Sequence, residues 1–236
     1  MPRSIRLLPV VAAAFLAACA GQRPATSPTP AFQPGPEGAK ARARADSLRY
    51  PYTEGDIAFM TGMIHHHAQA IQMSKWAPSR GASAELLRLT GRIINAQTDE
   101  IKLMQSWLED RNQAAPTVDS LGAVQMPGMA GMGDMPGMSH GAHGGHAMMM
   151  PGMLTPEQLD SLDRARGEQF DVLFLRYMIQ HHRGAVTMVR ELFSQHGSGQ
   201  DETIFKFAAD VEVDQSTEIR RMMQMLIARG VMPDVP

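Results

Sequence analysis

The sequence predicts an all-α protein, a four-helix bundle built from two duplicated helical hairpins with a long Met/His-rich crossover loop between them. Three observations carry that prediction. A histidine pair recurs: a shift of 115 positions superposes Asp56 on Asp171, Phe59 on Phe174, Met63 on Met178, His66 and His67 on His181 and His182, and Met73 on Met188. A second pattern follows each pair at an offset of 118, matching Gln97, Glu100, Ile101, Met104 and Leu108 to Gln215, Glu218, Ile219, Met222 and Leu226. Between the two patterns of each half lies a breaker, Pro78-Ser79-Arg80-Gly81 or His196-Gly197-Ser198-Gly199. Neither hairpin could bury its apolar face alone, and packing the two together buries both.

At the start of the chain, Arg3 and Arg6 precede an apolar run from Leu7 to Ala18 that is too short for an ordinary spanning helix. Leu16-Ala17-Ala18-Cys19 resembles a bacterial lipoprotein cleavage box. By that resemblance residues 1–18 are a signal peptide and Cys19 is the lipidated first residue of the mature chain. The plainer reading, an ordinary secretory signal, exports the protein as well. The lone cysteine excludes an intrachain disulfide and a thiolate metal cluster. Removing the two leader arginines leaves 20 basic residues against 24 acidic ones, so nothing suggests a nucleic acid partner. Residues 19–44 read as a flexible tether, rich in Pro, Ala, Thr and Gly, and 45–232 as one domain of two halves.

Each histidine helix has a leading segment, since Ala45-Asp46-Ser47-Leu48 matches Leu159-Asp160-Ser161-Leu162. In the first half Pro51 interrupts it, leaving a short helix before Thr53 caps a new one. In the second, Thr155-Pro156-Glu157-Gln158 has Pro in the first turn and Gln at the capping-box position, and one helix is expected to run unbroken from about 156 to 195. On a helix turning about 100° per residue, Phe59, Met60, Met63, His66, His67 and Met73 share one arc, while His65, Gln69 and Gln72 point the other way. His65 is therefore expected to be solvated. Leu175, Met178, His181, His182 and Met188 repeat the arc, with Leu175 where the first half has Met60. Asp56 and Asp171, one or two turns earlier, are expected to orient the imidazole rings. The second helix of each hairpin turns an amide, a carboxylate and a thioether inward, Gln97, Glu100 and Met104 in one half and Gln215, Glu218 and Met222 in the other.

The crossover, 114–154, contains Met126, Met129, Met132, Met135 and Met138, then His140, His143 and His146. Gly and Pro at this density cannot build a core, so the stretch is either a ligand-bearing loop or a low-complexity linker. Its length permits the second and third long helices to run parallel, as in ferritin-like bundles. Thioether sulfur is soft, uncharged at every pH and free of disulfide chemistry, which suits Cu(I) or Ag(I) in an oxidising compartment; imidazole accepts both copper states. The competing reading is that helical methionines such as Met60, Met104 and Met222 only fill core gaps and that the inward histidines are satisfied by carboxylates or carbonyls. Neither histidine helix has a Glu three residues before its pair, as di-iron bundles require, and no triad or phosphate-cradling loop is present, so no enzymatic activity is expected.

The pattern Phe-x3-Met-Ile-x-His-His-x2-Ala-(Ile/Val)-x-Met, followed by Gln-x2-Glu-Ile-x2-Met, resembles the family catalogued as domain of unknown function 305 (DUF305). These are ferritin-like helical domains of exported bacterial proteins, and some members, of the CopM type, are periplasmic copper-binding proteins. The resemblance covers about residues 45–109 and 159–227. It implies copper binding by Met63, His66, His67 and Met73 and by Met178, His181, His182 and Met188. The expectation is thus an exported, lipid-anchored protein on the periplasmic face of a bacterial membrane. It would bind Cu(I), with silver as a mimic, for sequestration, tolerance or delivery to copper-exporting or copper-accepting envelope proteins. A ferritin-like metal oxidase, with Glu100 and Glu218 converging on the histidines, and an envelope interaction module without metal are the alternatives.

Overall fold

The computed structural model of the chain describes residues 34–49, 52–126 and 150–233, with the backbone alone for 46–49. Its helices are α1 (Gly35–Arg49), α2 (Glu54–Trp76), α3 (Ala84–Asp110), α4 (Pro156–Arg164), α5 (Gly167–Ser194) and α6 (Glu202–Ala228). None is long and apolar enough to cross a membrane. The bundle is formed by the hairpins α2–α3 and α5–α6, packed through α2 and α5.

Local chemistry sets the helix starts. Thr53 and Asp56 form a capping box at α2, and Thr155 and Gln158 form one at α4 with Pro156 in the first turn. Ser83 caps α3 and Asp201 caps α6, accepting from the backbone N–H of Thr203 and Ile204.

Helix directions follow from contacts at the helix ends. Asp56, at the start of α2, accepts from the Gly199 N–H just before α6 at 2.7 Å. Asp171, in the first turns of α5, accepts from the Ser83 N–H just before α3 at 3.2 Å and from Arg229 beyond α6 at 3.2 Å. The start of each histidine helix therefore lies beside the end of the other, so α2 and α5 are antiparallel and α3 runs parallel to α5. The long crossover between α3 and α5 is what this topology requires.

Three expectations change. The helix expected from 156 to 195 is broken: Ala165 and Arg166 are extended and Gly167 has φ 56°. The carbonyl oxygen of Asp163 accepts from Arg80 at 2.7 Å and from Arg166 at 2.6 Å, and Arg80 also pairs with the Asp163 carboxylate, so the end of α4 is held by guanidinium groups rather than continued. The break makes the second half more like the first, where α1 also stops short of α2. Second, α1 begins at Gly35, inside the stretch expected to be tether, because Pro36 is compatible with a first turn and Ala/Arg/Lys helix formers follow. Ala43 of α1 is buried, and α1 packs against α3. Third, the crossover opens with a two-stranded antiparallel hairpin, β1 (Thr117–Val118) and β2 (Val124–Gln125), with Thr117 opposite Gln125.

The buried side chains form two clusters. One holds Phe59, Met60, Met63, Met104, Trp107 and Met188, and the other Met73, Leu86, Phe170, Phe174, Met178 and Met222. Along both α2 and α5 the histidine pair falls between a methionine of one cluster and a methionine of the other.

Candidate metal centre

Helical spacing turns His66 and His67 of α2, and His181 and His182 of α5, into the bundle, where all four are fully buried. Antiparallel packing brings His66 and His181 together at the pseudo-twofold, their ring centroids 3.8 Å apart and tilted by 39°. The His66 Nε2–H donates to the carbonyl of Pro151 at 3.0 Å. The His182 Nε2–H donates to Glu218 Oε2 at 2.6 Å, whereas His67 Nε2 lies 2.7 Å from Glu100 Oε2 without hydrogen-bonding geometry. Neither nitrogen of His181 has a hydrogen-bond partner among the described residues, and Nδ1 has none in any of the four rings. An unpaired buried polar atom costs about 1–3 kcal/mol. Six such nitrogens lie on this one layer of the bundle, open to a further partner.

Burial, reinforced by the neighbouring His67, pushes His66 down to about 3, with the Pro151 carbonyl opposing in part. His181 is held well below the ordinary value by burial first and then by His66, His182 and His67. Both rings are thus neutral, the form that ligates metal. The carboxylates expected at the rings are different ones. Asp56 and Asp171 tie helix ends instead, and Glu100 and Glu218, with side chains 23 % and 26 % exposed, meet the imidazoles. Burial and then Glu100, Asp210 and Glu218 raise Asp214, which marks an acidic rim above these carboxylates.

The helical methionines Met60, Met63, Met73, Met104, Met178, Met188 and Met222 are all buried. Their partners are not those of the linear motif, since Met63 shares a cluster with Met188 and Met73 shares one with Met178. Each end of the histidine layer thus has thioethers from both hairpins. Among the described residues no three His, Cys, Asp or Glu form a group fit to hold an ion. Met126 is half-buried at the end of the β-hairpin; Met129, Met132, Met135, Met138, His140, His143, His146 and Cys19 lie outside the described residues.

His65 is half-buried rather than solvated, and burial lowers its pKa. The two ends of the crossover lie along this stretch of α2. Gly122 sits where an added Cβ would be 2.7 Å from the Ala68 carbonyl oxygen and 3.1 Å from Gln72. Residues 150–154 form a strap across α2 and α5: Gln69 donates to the Leu154 carbonyl at 3.1 Å and accepts its N–H at 2.8 Å, while Gln180 donates to the Gly152 carbonyl at 3.5 Å. A Cβ on Gly184 would overlap the Pro151 carbonyl. Sequence reasoning turns Gln69 away from the site arc and passes over Gly184, although they occupy equivalent places in the two halves and break the repeat where the strap crosses.

Residues 56–226 match the model of the family described as Domain of unknown function (DUF305). A solved DUF305 protein from Streptomyces coelicolor, described as a candidate secreted protein, superposes with TM-score 0.57 at 29 % identity, over 75 % of this chain and 95 % of that one. CopM in the Cu(I)-bound form superposes with TM-score 0.50 at 26 % identity, over 73 % of this chain and 96 % of that one, and CopM has also been solved with Cu(II) and with Ag bound. Uncharacterized protein L153 of Acanthamoeba polyphaga mimivirus is 41 % identical over 56 residues, a match spanning only 24 % of this chain and 37 % of that protein.

Proposed function

The chain belongs to the DUF305 family, and on that footing we propose that it binds Cu(I), with Ag(I) as a mimic, through the buried Met/His layer between its two hairpins. The observation that carries this reading is the set of four buried Nδ1 atoms without protein partners, flanked at both ends by thioethers from opposite hairpins. His66 and His182, which donate from Nε2 to a carbonyl and a carboxylate, keep the Nδ1 lone pair for a metal, the arrangement that fixes metal-bound histidines. The fold shared with CopM, which binds Cu(I), Cu(II) and Ag, supports it. The Met/His residues of the crossover would capture ions and release them to the layer, since both described ends of that segment rest on the turn of α2 between His66 and Gln72. Export behind a lipoprotein leader, with Cys19 as the anchor, would place the sites where thioethers outlast thiols, for sequestration or for transfer to copper-exporting or copper-accepting envelope proteins.

The direct experiment is titration with Cu(I) against a chromophoric competitor. At least one tightly held ion is expected, weakened by replacing His66, His67, His181 and His182 with Ala. A stoichiometry below one, or one indifferent to those replacements, rejects the reading. The contacts of Glu100 and Glu218 with the imidazoles favour one other reading, a ferritin-like metal oxidase. Each carboxylate meets a single ring, however, and carboxylate-bridged pairs hold their metals about 3.5–4 Å apart. Oxygen uptake on addition of Fe(II), abolished by Glu100→Ala, would turn the assignment to that alternative.

A further inference from the structure

Gly62 stands in the interior of α2, where glycine is less favourable than alanine by about 1 kcal/mol and where no unusual backbone angle calls for it. What it supplies is room. A Cβ there would lie 3.2 Å from the sulfur of Met150 and 3.4 Å from the terminal methyl of Met188. The equivalent position in the second half is Tyr177, a bulky side chain packed on the other cluster, so this space exists on one side of the pseudo-twofold only. Gly62 also lies one turn before His66 on the same helix face. Met150 precedes Pro151, whose carbonyl takes the His66 Nε2–H, and it packs against the cluster that holds Met60, Met63 and Met188.

Three independent features fix Met150 in that space. Gln69 clamps the strap at Leu154 through two hydrogen bonds, Gly184 admits the strap backbone onto α5, and Gly62 leaves the sulfur its volume. Packing alone does not call for sulfur here, because a leucine of nearly the same volume fills such a gap as well. We infer that Met150 is a metal ligand in its own right, closing with Met188 and His66 the soft-ion site on the Gly62 side of the layer, so that the two halves bind with unequal affinity. The inference deepens the Cu(I) reading above and rests on it.

The experiment is Ag(I) competition titration of the full chain, the Met150→Leu variant and a Met153→Leu control, together with oxidation of methionines by peroxide with and without Ag(I), read by mass spectrometry. Met150→Leu is expected to weaken the tightest Ag(I) by about 10–100-fold, Met153→Leu to leave it unchanged, and Ag(I) to shield Met150 and Met188 together in the unsubstituted chain. Gly62→Val, which displaces the thioether without removing it, is expected to give the same weakening. If the unsubstituted chain holds Ag(I) tightly but Met150→Leu binds equally well and Met150 oxidises at the same rate with and without the ion, this assignment is overturned and the Cu(I) reading stands. If the unsubstituted chain holds no Ag(I), both fall.

Discussion

Glu218 holds one nitrogen of His182 and thereby decides what the other nitrogen can do, and Glu100 stands in the same place beside His67. Replacing both by Gln keeps an oxygen beside each Nε2 but removes the charge that makes the ring a better ligand. Cu(I) affinity is expected to fall by about 10–100-fold with little change in Tm, which competition titration and thermal melting check together. The two central rings make a different prediction. In the unfolded chain a histidine binds its proton below its ordinary value of 6.5, whereas native His66 stays neutral to about 3 and native His181 stays neutral well below the ordinary value. The unfolded state therefore binds more protons in that window. Stability present in full above 6.5 is lost as pH falls below it, by roughly 1 kcal/mol per pH unit for each imidazole. Urea unfolding of the metal-free protein at pH 7 and pH 5 measures the loss, and His181→Phe should flatten the slope. The histidines and methionines are legible in the sequence because one helical period repeats them at a fixed offset. The roles of Glu100 and Glu218 are less so, because a partner on another helix has no fixed spacing from the ring it holds.

The strap of residues 150–154 is an element without regular structure that nonetheless has its backbone satisfied. Gln69 supplies both a donor and an acceptor to Leu154, so Gln69→Leu leaves a buried N–H and a buried carbonyl unpaired. A loss of about 2–3 kcal/mol is expected, with new proteolytic cleavage near 150–155 as the local sign that the strap has lifted. At the far end of the bundle, Asp201 caps α6 and accepts from Arg111 at 2.7 Å and from Trp107 at 3.1 Å, with both charges buried. Asp201→Ala removes a cap and strands a buried guanidinium, and a loss of about 3–5 kcal/mol is expected in denaturant unfolding. The cap at Thr53 and the capping box at Thr155 are readable from neighbouring residues, because the chemistry that makes them is local. The stop between α4 and α5 is not readable in the same way: it depends on Arg80, which approaches Asp163 only after the chain has folded. The start of α1 is missed for a simpler reason, since a stretch judged by its Pro and Gly hides the helix formers that follow.

Two hairpins related by a pseudo-twofold would make two equal sites if the halves were equal, and they are not. Under the 115-residue shift Met60 corresponds to Leu175, Gly62 to Tyr177, and Gln69 to Gly184. The last two replacements coincide with the passage of the strap, so the asymmetry is set by how the crossover returns to the bundle. The four-helix architecture is legible from periodicity and breakers, and the length of the crossover permits the observed topology, whereas the landing place of its ends is a matter of tertiary fit between glycines and carbonyls. Both landing places lie on one stretch of α2, with Gly122 beside Ala68 and Gln72 and the strap on His66 and Gln69. The intervening residues 127–149 can therefore be replaced by a short Gly/Ser linker without pulling on either anchor. The shortened protein is expected to melt within a few degrees of the full chain. Excess Ag(I) at about 100 times its Kd should still raise its stability by about 2.7 kcal/mol, because the helical site and Met150 remain. Two readings should change: the total number of ions held, which falls by those carried on the crossover, and the rate of loading, which slows if that segment captures ions and passes them inward. Stopped-flow loading against a chromophoric competitor separates these, and an unchanged rate with an unchanged ion count would leave the crossover as a linker whose sulfur and imidazole groups do nothing for binding.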